Sequence, residues 1–446
     1  MTGTPGLPHN RCAQRRNHGK GQAQTVLTAR RTSRSLRHAS FGVETAVGKG
    51  GLPAYTVLAA VCLLMLSTLV SCGGGSQAPS SPTPAQGITY FPYQQGWLGA
   101  DGAYSVPLGA TQSLWIFGDT FIGAATATSR TQSTGSLHNS IAISTCSQQS
   151  CAWQYYWSGM DTASAGPVFS TGTSDWYWPM DGFVYNGTLF LALMQMHATG
   201  TGGAFGFAYS GVQLASINNY TSPPNQWSIT YQVLNTGAAA VPGVSTVVAE
   251  GPNANPDPSN PLGATYAYFF TLIGSSTPAT EYMALLRLPL SQLNSSARPG
   301  NSNWEYLKSD STWGNWPGAQ TSLPTDLAAV ISPGATEMTV RYHPSTNQWI
   351  AVYPVGLSNS AYYSLAASMT GPWGQSENLY SYPEMQSSNA NYTPNVFCYA
   401  AKEHTELETV GQIFFTYACN SLQESDVTNN MSLYHPVVVT QTLPSK

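Results

Sequence analysis

The sequence predicts an all-β fold, and within it a five-bladed β-propeller. Three observations carry that prediction. An apolar and aromatic strand-like segment comes round five times, at Ser113–Gly118, Thr188–Leu193, Thr265–Phe270, Gln348–Tyr353 and Gln412–Tyr417. Four of these are preceded by a segment with an acidic head: Asp101, Asp181, Glu250 and Glu337; the fifth, Tyr392–Phe397, has no carboxylate. Between the runs lie Gly, Pro, Asn and Ser turns, and no long amphipathic helix is evident. Strand-built units of roughly 65–80 residues are the size of propeller blades.

The blades are read in order as 88–157, 158–240, 241–328, 329–388 and 389–446. In the second, Asp181–Tyr185 forms the inner strand and Asn186-Gly187 the hairpin turn, the strongest short hairpin signal. The third carries the nearest helix candidate, Leu285–Asn294, which Pro289 breaks. The fourth reads as strand Glu337–His343, a turn at 344–347, strands Gln348–Pro354 and Tyr362–Met369, and a last outer strand. In the fifth, Leu433–Val439 is expected to close the ring beside the first blade, which removes sheet edges. First strands of blades line the channel, so the four carboxylates are expected to converge on one polar pocket.

Residues 1–71 read as a basic N-region followed by a signal peptide. The apolar run Tyr55–Val70 is short for a membrane span, which takes about 20 residues. It ends Leu69-Val-Ser-Cys72-Gly, the pattern of a bacterial lipobox, which makes Cys72 the expected lipidation site. A Gly/Ser/Pro-rich tether, 72–87, leads into the propeller domain, 88–446. The expected location is the bacterial cell envelope, anchored to the membrane through Cys72 or released. Export permits disulfides. Cys146 and Cys151 are close in sequence, and Cys398 and Cys419 flank neighbouring strands, so both pairs are expected to be bridged.

From Cys72 onward there are 7 Lys and Arg against 19 Asp and Glu. That balance excludes nucleic acid and acidic polymers as partners of the folded part. Its few charges and its many Tyr, Trp, Ser, Thr and Asn suit neutral polar ligands, sugars above all, though β-proteins are rich in such residues anyway. There is no Gly-x-Ser-x-Gly elbow, His-Glu-x-x-His, phosphate loop or dinucleotide fingerprint, and no CxxC or His/Cys metal spacing.

Gly99-Ala-Asp-Gly-Ala-Tyr-Ser105 followed by Leu114-Trp-Ile-Phe-Gly-Asp-Thr-Phe-Ile-Gly123 resembles the opening of bacterial five-bladed propellers in domain-of-unknown-function families 4185 and 5005. Glu337-Met-Thr-Val-Arg-Tyr342 and Phe415-Thr-Tyr-Ala-Cys-Asn420 fit the same resemblance, which covers about 90–440. Some members of the first family are endo-D-arabinanases, and the architecture is more distantly similar to glycoside hydrolase family 43. The resemblance implies Asp101 as base, Asp181 as modulator of the proton donor and Glu250 as acid. Glu337 sits in a cleaner strand pattern than Glu250 and is the stronger candidate acid, a departure from the family 43 order. Glycoside hydrolysis needs one carboxylic acid to protonate the leaving oxygen and one carboxylate to activate water or attack the sugar.

Asp119, in Gly-Asp-Thr-Phe, is a further catalytic candidate, or a turn cap. Trp97, Trp176 and Trp178 precede the first two acids and are candidates for sugar stacking, or blade core. Arg341 is one of few cations, placed to neutralise the acids, hold a substrate oxygen or pair within the sheet. His404 falls where family 43 members place a channel histidine near a metal or water. No cofactor is required, and a calcium ion or a water in the channel stays open. A monomer acting on a neutral or arabinose-containing polysaccharide is the expected function. The rivals are a non-catalytic sugar-capture lipoprotein and a protein-interaction propeller.

Overall fold

The computed structural model describes residues 88–445, except 125–128, 131–132, 148–149, 161–163, 202–204, 236, 238, 250–264, 275–280, 294–302, 319–322 and 391. The signal-like segment, Cys72, the tether and Glu250 lie outside the described residues. What is described is all-β apart from short 3-10 turns and one helix, α1 (Glu424–Asn429).

Among the described residues there are six antiparallel sheets, the first two interleaved along the chain and the rest in succession. A small one joins β1 (Trp97–Ala100), β4 (Thr120–Gly123) and β5 (Ser133–Leu137). The next is β2 (Tyr104–Pro107), β3 (Gln112–Phe117), β6 (Ser140–Cys146) and β7 (Cys151–Tyr156). Then come β8 (Trp176–Tyr185), β9 (Thr188–Ala198), β10 (Phe207–Ile217) and β11 (Ile229–Asn235). The fourth sheet holds β12 (Ala240–Ala249), β13 (Tyr266–Ile273), β14 (Tyr282–Pro289), β15 (Glu305–Leu307) and β16 (Trp313–Asn315). The fifth holds β17 (Thr339–His343), β18 (Gln348–Pro354), β19 (Ser360–Ala366) and β20 (Glu377–Ser381). The last is β21 (Val396–Glu403), β22 (Gln412–Ser421) and β23 (Val437–Thr442).

Position within a sheet explains the sequence pattern. Second strands such as β9 and β13 are buried on both faces and read as unbroken apolar runs. Outer strands such as β7 alternate buried and exposed residues. Asn186 and Gly187 both take positive φ, as a tight hairpin with the twist of its strands requires. Both expected disulfides are present, and each joins residues directly opposite in register.

One expectation needs correction. Glu337 is not inside a strand; β17 begins at Thr339, and Glu337 sits on the loop that leads into it. As expected, the described part of Leu285–Asn294 forms no long helix; β14 runs to Pro289 and a short 3-10 turn follows at Leu290–Gln292. Within Leu433–Val439, Val437–Val439 belong to β23, which pairs with β22, while Tyr434 and His435 reach Asp101 and Phe91 beside the first sheets. Arg130, 2% exposed, makes a second join to the first sheets. It donates to Leu98 O at 2.6 Å on one side and to Val427 O at 2.7 Å and Leu433 O at 2.6 Å on the other. A buried guanidinium is tolerable only when its donors are satisfied in this way.

The strands β8, β12 and β21, each the first of its sheet, are irregular. Their registers shift between Pro179 and Gly182, Pro242 and Ser245, and Tyr399 and Lys402. Bulges re-aim side chains, and these three lie at Asp181, Ser245 and Lys402.

Candidate active site

The motif Phe117-Gly-Asp-Thr-Phe121 shapes the first part of the site. Asp101 lies on the turn between β1 and β2, and its backbone carbonyl accepts from Gly118 N at 3.1 Å. A Cβ at position 118 would collide with Asp101 Oδ1, so glycine there makes room for the carboxyl group. Thr120 Oγ1 fixes the turn by donating to Gly118 O at 2.9 Å. Asp119 then points away from Asp101's partners. Its Oδ1 accepts from Trp178 Nε1 at 3.0 Å and lies 3.0 Å from His138 Nδ1.

Two phenols converge on one oxygen of Asp101. Tyr399 Oη donates to Oδ2 at 2.6 Å and Tyr434 Oη at 3.0 Å. Burial, then the charges of Asp119 and Glu337, push the Asp101 carboxyl up to about 7 against those hydrogen bonds. Burial above all, with Asp101 beside them, keeps both phenols protonated and therefore donors.

Glu337 is held differently. Lys402 Nζ donates to its Oε1 at 2.7 Å, and the ammonium lies 4.4 Å from the centroid of the Tyr104 ring. Lys402 is fully buried. Burial lowers its pKa, while Glu337 and then Asp101 and Asp181 act to keep the charge. Asp181 is also fully buried. Arg341 grips it in a fork, Nη1 to Oδ2 at 2.9 Å and Nη2 to Oδ1 at 3.0 Å. Ser245 Oγ at 3.0 Å, Thr246 N at 2.8 Å and Gly182 N at 2.9 Å complete its shell.

Residues 88–440 match the family described as domain of unknown function (DUF5005). The chain belongs to that family. No curated protein matches the sequence. Among solved structures, the DUF5005 domain is similar to a candidate hydrolase from Bacteroides ovatus, with 15% identity and a TM-score of 0.56 over 77% of this chain and 85% of that one. An α-L-arabinanase of Cellvibrio cellulosa complexed with arabinohexaose gives 11% identity and a TM-score of 0.40 over 78% of this chain and 93% of that one. A Bacillus subtilis arabinanase gives 11% and 0.37 over 78% and 97%. At such identities the likeness speaks to fold alone.

In this DUF5005 domain Asp101, Asp119 and Glu337 thus come together, Asp181 is enclosed in a shell of its own, and Glu250 is outside the described residues. The tryptophans divide. Trp97 is fully buried and stacks on Tyr155 at 4.6 Å, so it is core and has no face to offer a sugar. Trp176 stacks on His138 at 4.4 Å, and Trp178 packs edge-on against Phe207 at 4.7 Å. From there aromatic rings continue through Phe205, which is 53% exposed, to Phe397 and Tyr399. This arc leads from β8 to the phenol on Asp101.

Two other candidates are internal. Arg341 spends its fork on Asp181. His404 is fully buried, with Nδ1 2.7 Å from Ser105 Oγ and Nε2 2.8 Å from Thr416 Oγ1, so neither nitrogen is available to a metal. Burial, with Arg341 and Lys402 nearby, holds it well below the usual histidine range. Sequence reasoning missed Lys402, Tyr399, Tyr434 and His138. Lys402 carried a signal, being one of seven cations beyond Cys72. The two tyrosines, among 25, carried none.

Proposed function

We propose that this chain is an exported glycoside hydrolase of the cell envelope, anchored through a lipid on Cys72. In this reading the sheets led by β2, β8, β12, β17 and β21 are the five blades of a propeller, and the chain acts as a monomer. The single observation that carries the reading is the contrast between Asp101 and Glu337. One is an acid whose carboxyl is pushed up to about 7 by burial and two neighbouring carboxylates. The other makes its hydrogen bond to an ammonium, which suits an anion. Carboxyl groups set apart by their surroundings are the signature of an acid and base pair.

The roles are reversed from those that the resemblance implies. Asp101 is the proton donor to the glycosidic oxygen, with Oδ1 carrying the proton because both phenols occupy Oδ2. Glu337 receives a proton from water or attacks the sugar. Asp119 acts through its charge on Asp101, and Asp181 holds Arg341 and the strands around it. Trp176, Trp178 and the arc beyond them offer faces to sugar rings. The preponderance of acids beyond Cys72 argues for a neutral polysaccharide, and the likeness of the Phe-Gly-Asp-Thr-Phe region to endo-D-arabinanase propellers favours one containing arabinose.

Hydrolysis of a panel of arabinans, xylans and arabinogalactans tests this. The wild type is expected to release reducing ends from at least one, and Asp101→Asn and Glu337→Gln to lose about 10²–10⁴-fold in rate with the fold intact. Binding of a polymer without product release, unchanged in both variants, would make the protein a capture lipoprotein instead.

A further inference from the structure

The far end of β17 carries a second polar cluster that the proposed chemistry does not use. Glu337 precedes the strand and His343 ends it, so the two lie about 20 Å apart along it. At that end His343 Nε2 lies 2.6 Å from Glu403 Oε1, at the close of β21. His343 Nδ1 faces Glu408 Oε2 at 3.7 Å, too long for a hydrogen bond. Donor atoms of these three residues all lie within 4.8 Å of one another.

Two further observations point to a missing positive partner. Glu403 is 1% exposed, yet its Oε2 has no nitrogen or hydroxyl donor, and its carboxyl meets that of Glu408, another acid. Oε1 of the neighbouring Glu406 is buried and equally without a donor. The local charge is also unbalanced. Asp181, Glu403 and Glu406 surround one guanidinium, Arg341, whose fork is already taken by Asp181, and Glu408 adds a further acid beside Glu403. Uncompensated carboxylates in such a setting cost several kcal/mol each, so protons or a cation must make up the difference.

We propose that His343, Glu403 and Glu408 bind one divalent ion of the manganese or zinc kind. The ion takes the place of the proton between His343 Nε2 and Glu403 Oε1, 2.6 Å apart, with Glu408 within reach as the third ligand. An imidazole with two carboxylates suits these ions better than calcium or magnesium, which prefer oxygen alone. The ion ties the end of β17 to the end of β21 and to the loop before β22, a clamp between two successive sheets. The clamp does not depend on the hydrolase reading, since it touches neither Asp101 nor Glu337.

The test is titration of the chelator-treated full chain with MnCl2 and with ZnCl2, followed by Mn2+ paramagnetic resonance and thermal unfolding. The expected result is one equivalent bound and a melting temperature raised by about 5 °C at a hundredfold excess over Kd. Glu408→Gln, close in shape to a protonated glutamate, should weaken binding at least tenfold while its metal-free melting temperature stays near that of the wild type. His343→Gln provides a second variant with the same expectation. Absence of binding at millimolar Mn2+ and Zn2+ would overturn the proposal and leave a proton shared between Glu403 and Glu408. Binding of Ca2+ alone would overturn it too, because the imidazole would then not be a ligand.

Discussion

Asp101 and Asp181 share a signature, a carboxylate followed by glycine at the head of a repeat, and the fold treats them in opposite ways. Asp181 accepts from two backbone amides, a serine hydroxyl and both arms of Arg341. Asp101 has two phenols on one oxygen and acids as neighbours. A saturated anion is a fixed structural charge. An undersupplied one beside like charges keeps its proton, and that makes it chemically useful. The difference arises in the backbone. The bulge in β8 turns Asp181 towards the Ser245–Thr246 bulge of β12, whereas Asp101 stays on the turn between β1 and β2.

The largest expected effect breaks the saturated member of the pair. Asp181→Ala leaves Arg341 buried without its carboxylate, and loss of one partner of a buried ion pair costs about 3–5 kcal/mol. Urea unfolding of the variant at pH 7 measures this. A loss below about 1 kcal/mol would mean that Asp181 is not a structural anchor and that the contrast is false.

Asp101→Asn should move stability the other way. The folded state raises this pKa, so its proton stabilises the fold fully below the unfolded value near 4, and that contribution is lost as pH rises through about 7. Asparagine removes the titration and can still accept from both tyrosines. At pH 8 the variant is expected to be more stable than the wild type by about 1–3 kcal/mol, a gain that disappears below about pH 4. The same variant is the one expected to lose activity, the exchange of stability for function that a strained acid implies. Equal stability of the two proteins at every pH would show that Asp101 is an ordinary exposed carboxylate.

Much of the scaffold was legible because strand identity is local. Buried second strands announce themselves as apolar runs, Asn186-Gly187 marks a hairpin, and the cysteine pairs sit across neighbouring strands. Asp101 and Glu337 were legible for the same reason, each heading a repeat, whereas Asp119 stands at the end of a strand-like run. What each acid does was not. Whether Asp181 is saturated depends on bulges in β8 and β12, about 65 residues apart in sequence, and neither Pro179 nor Gly243 advertises one. Trp97 reads like Trp178 as a residue before an acid, but one stacks inside on Tyr155 and the other donates to Asp119. Tyr434 reaches Asp101 only because Arg130 draws the C-terminal segment against β1, a contact across some 300 residues that no local pattern carries.

The smallest expected effect sharpens the account of Asp101 itself. Asp119 is the second cause, after burial, of the raised pKa, and it can be neutralised without disturbing the phenols. Asp119→Asn keeps an oxygen for Trp178 Nε1 and for His138, so the aromatic surface should stay in place. Removing a like charge stabilises the Asp101 anion and lowers its pKa. The alkaline limb of the pH–rate profile, which reports loss of the proton from the donor, should therefore move down by about half a unit. At pH 5.5, where Asp101 stays largely protonated in both proteins, the rates should agree within about twofold. An unmoved limb with a lower rate at every pH would place Asp119 on the substrate and not behind Asp101. A limb that moves at constant acid-side rate would show that the neighbouring charge helps to keep the proton on Asp101.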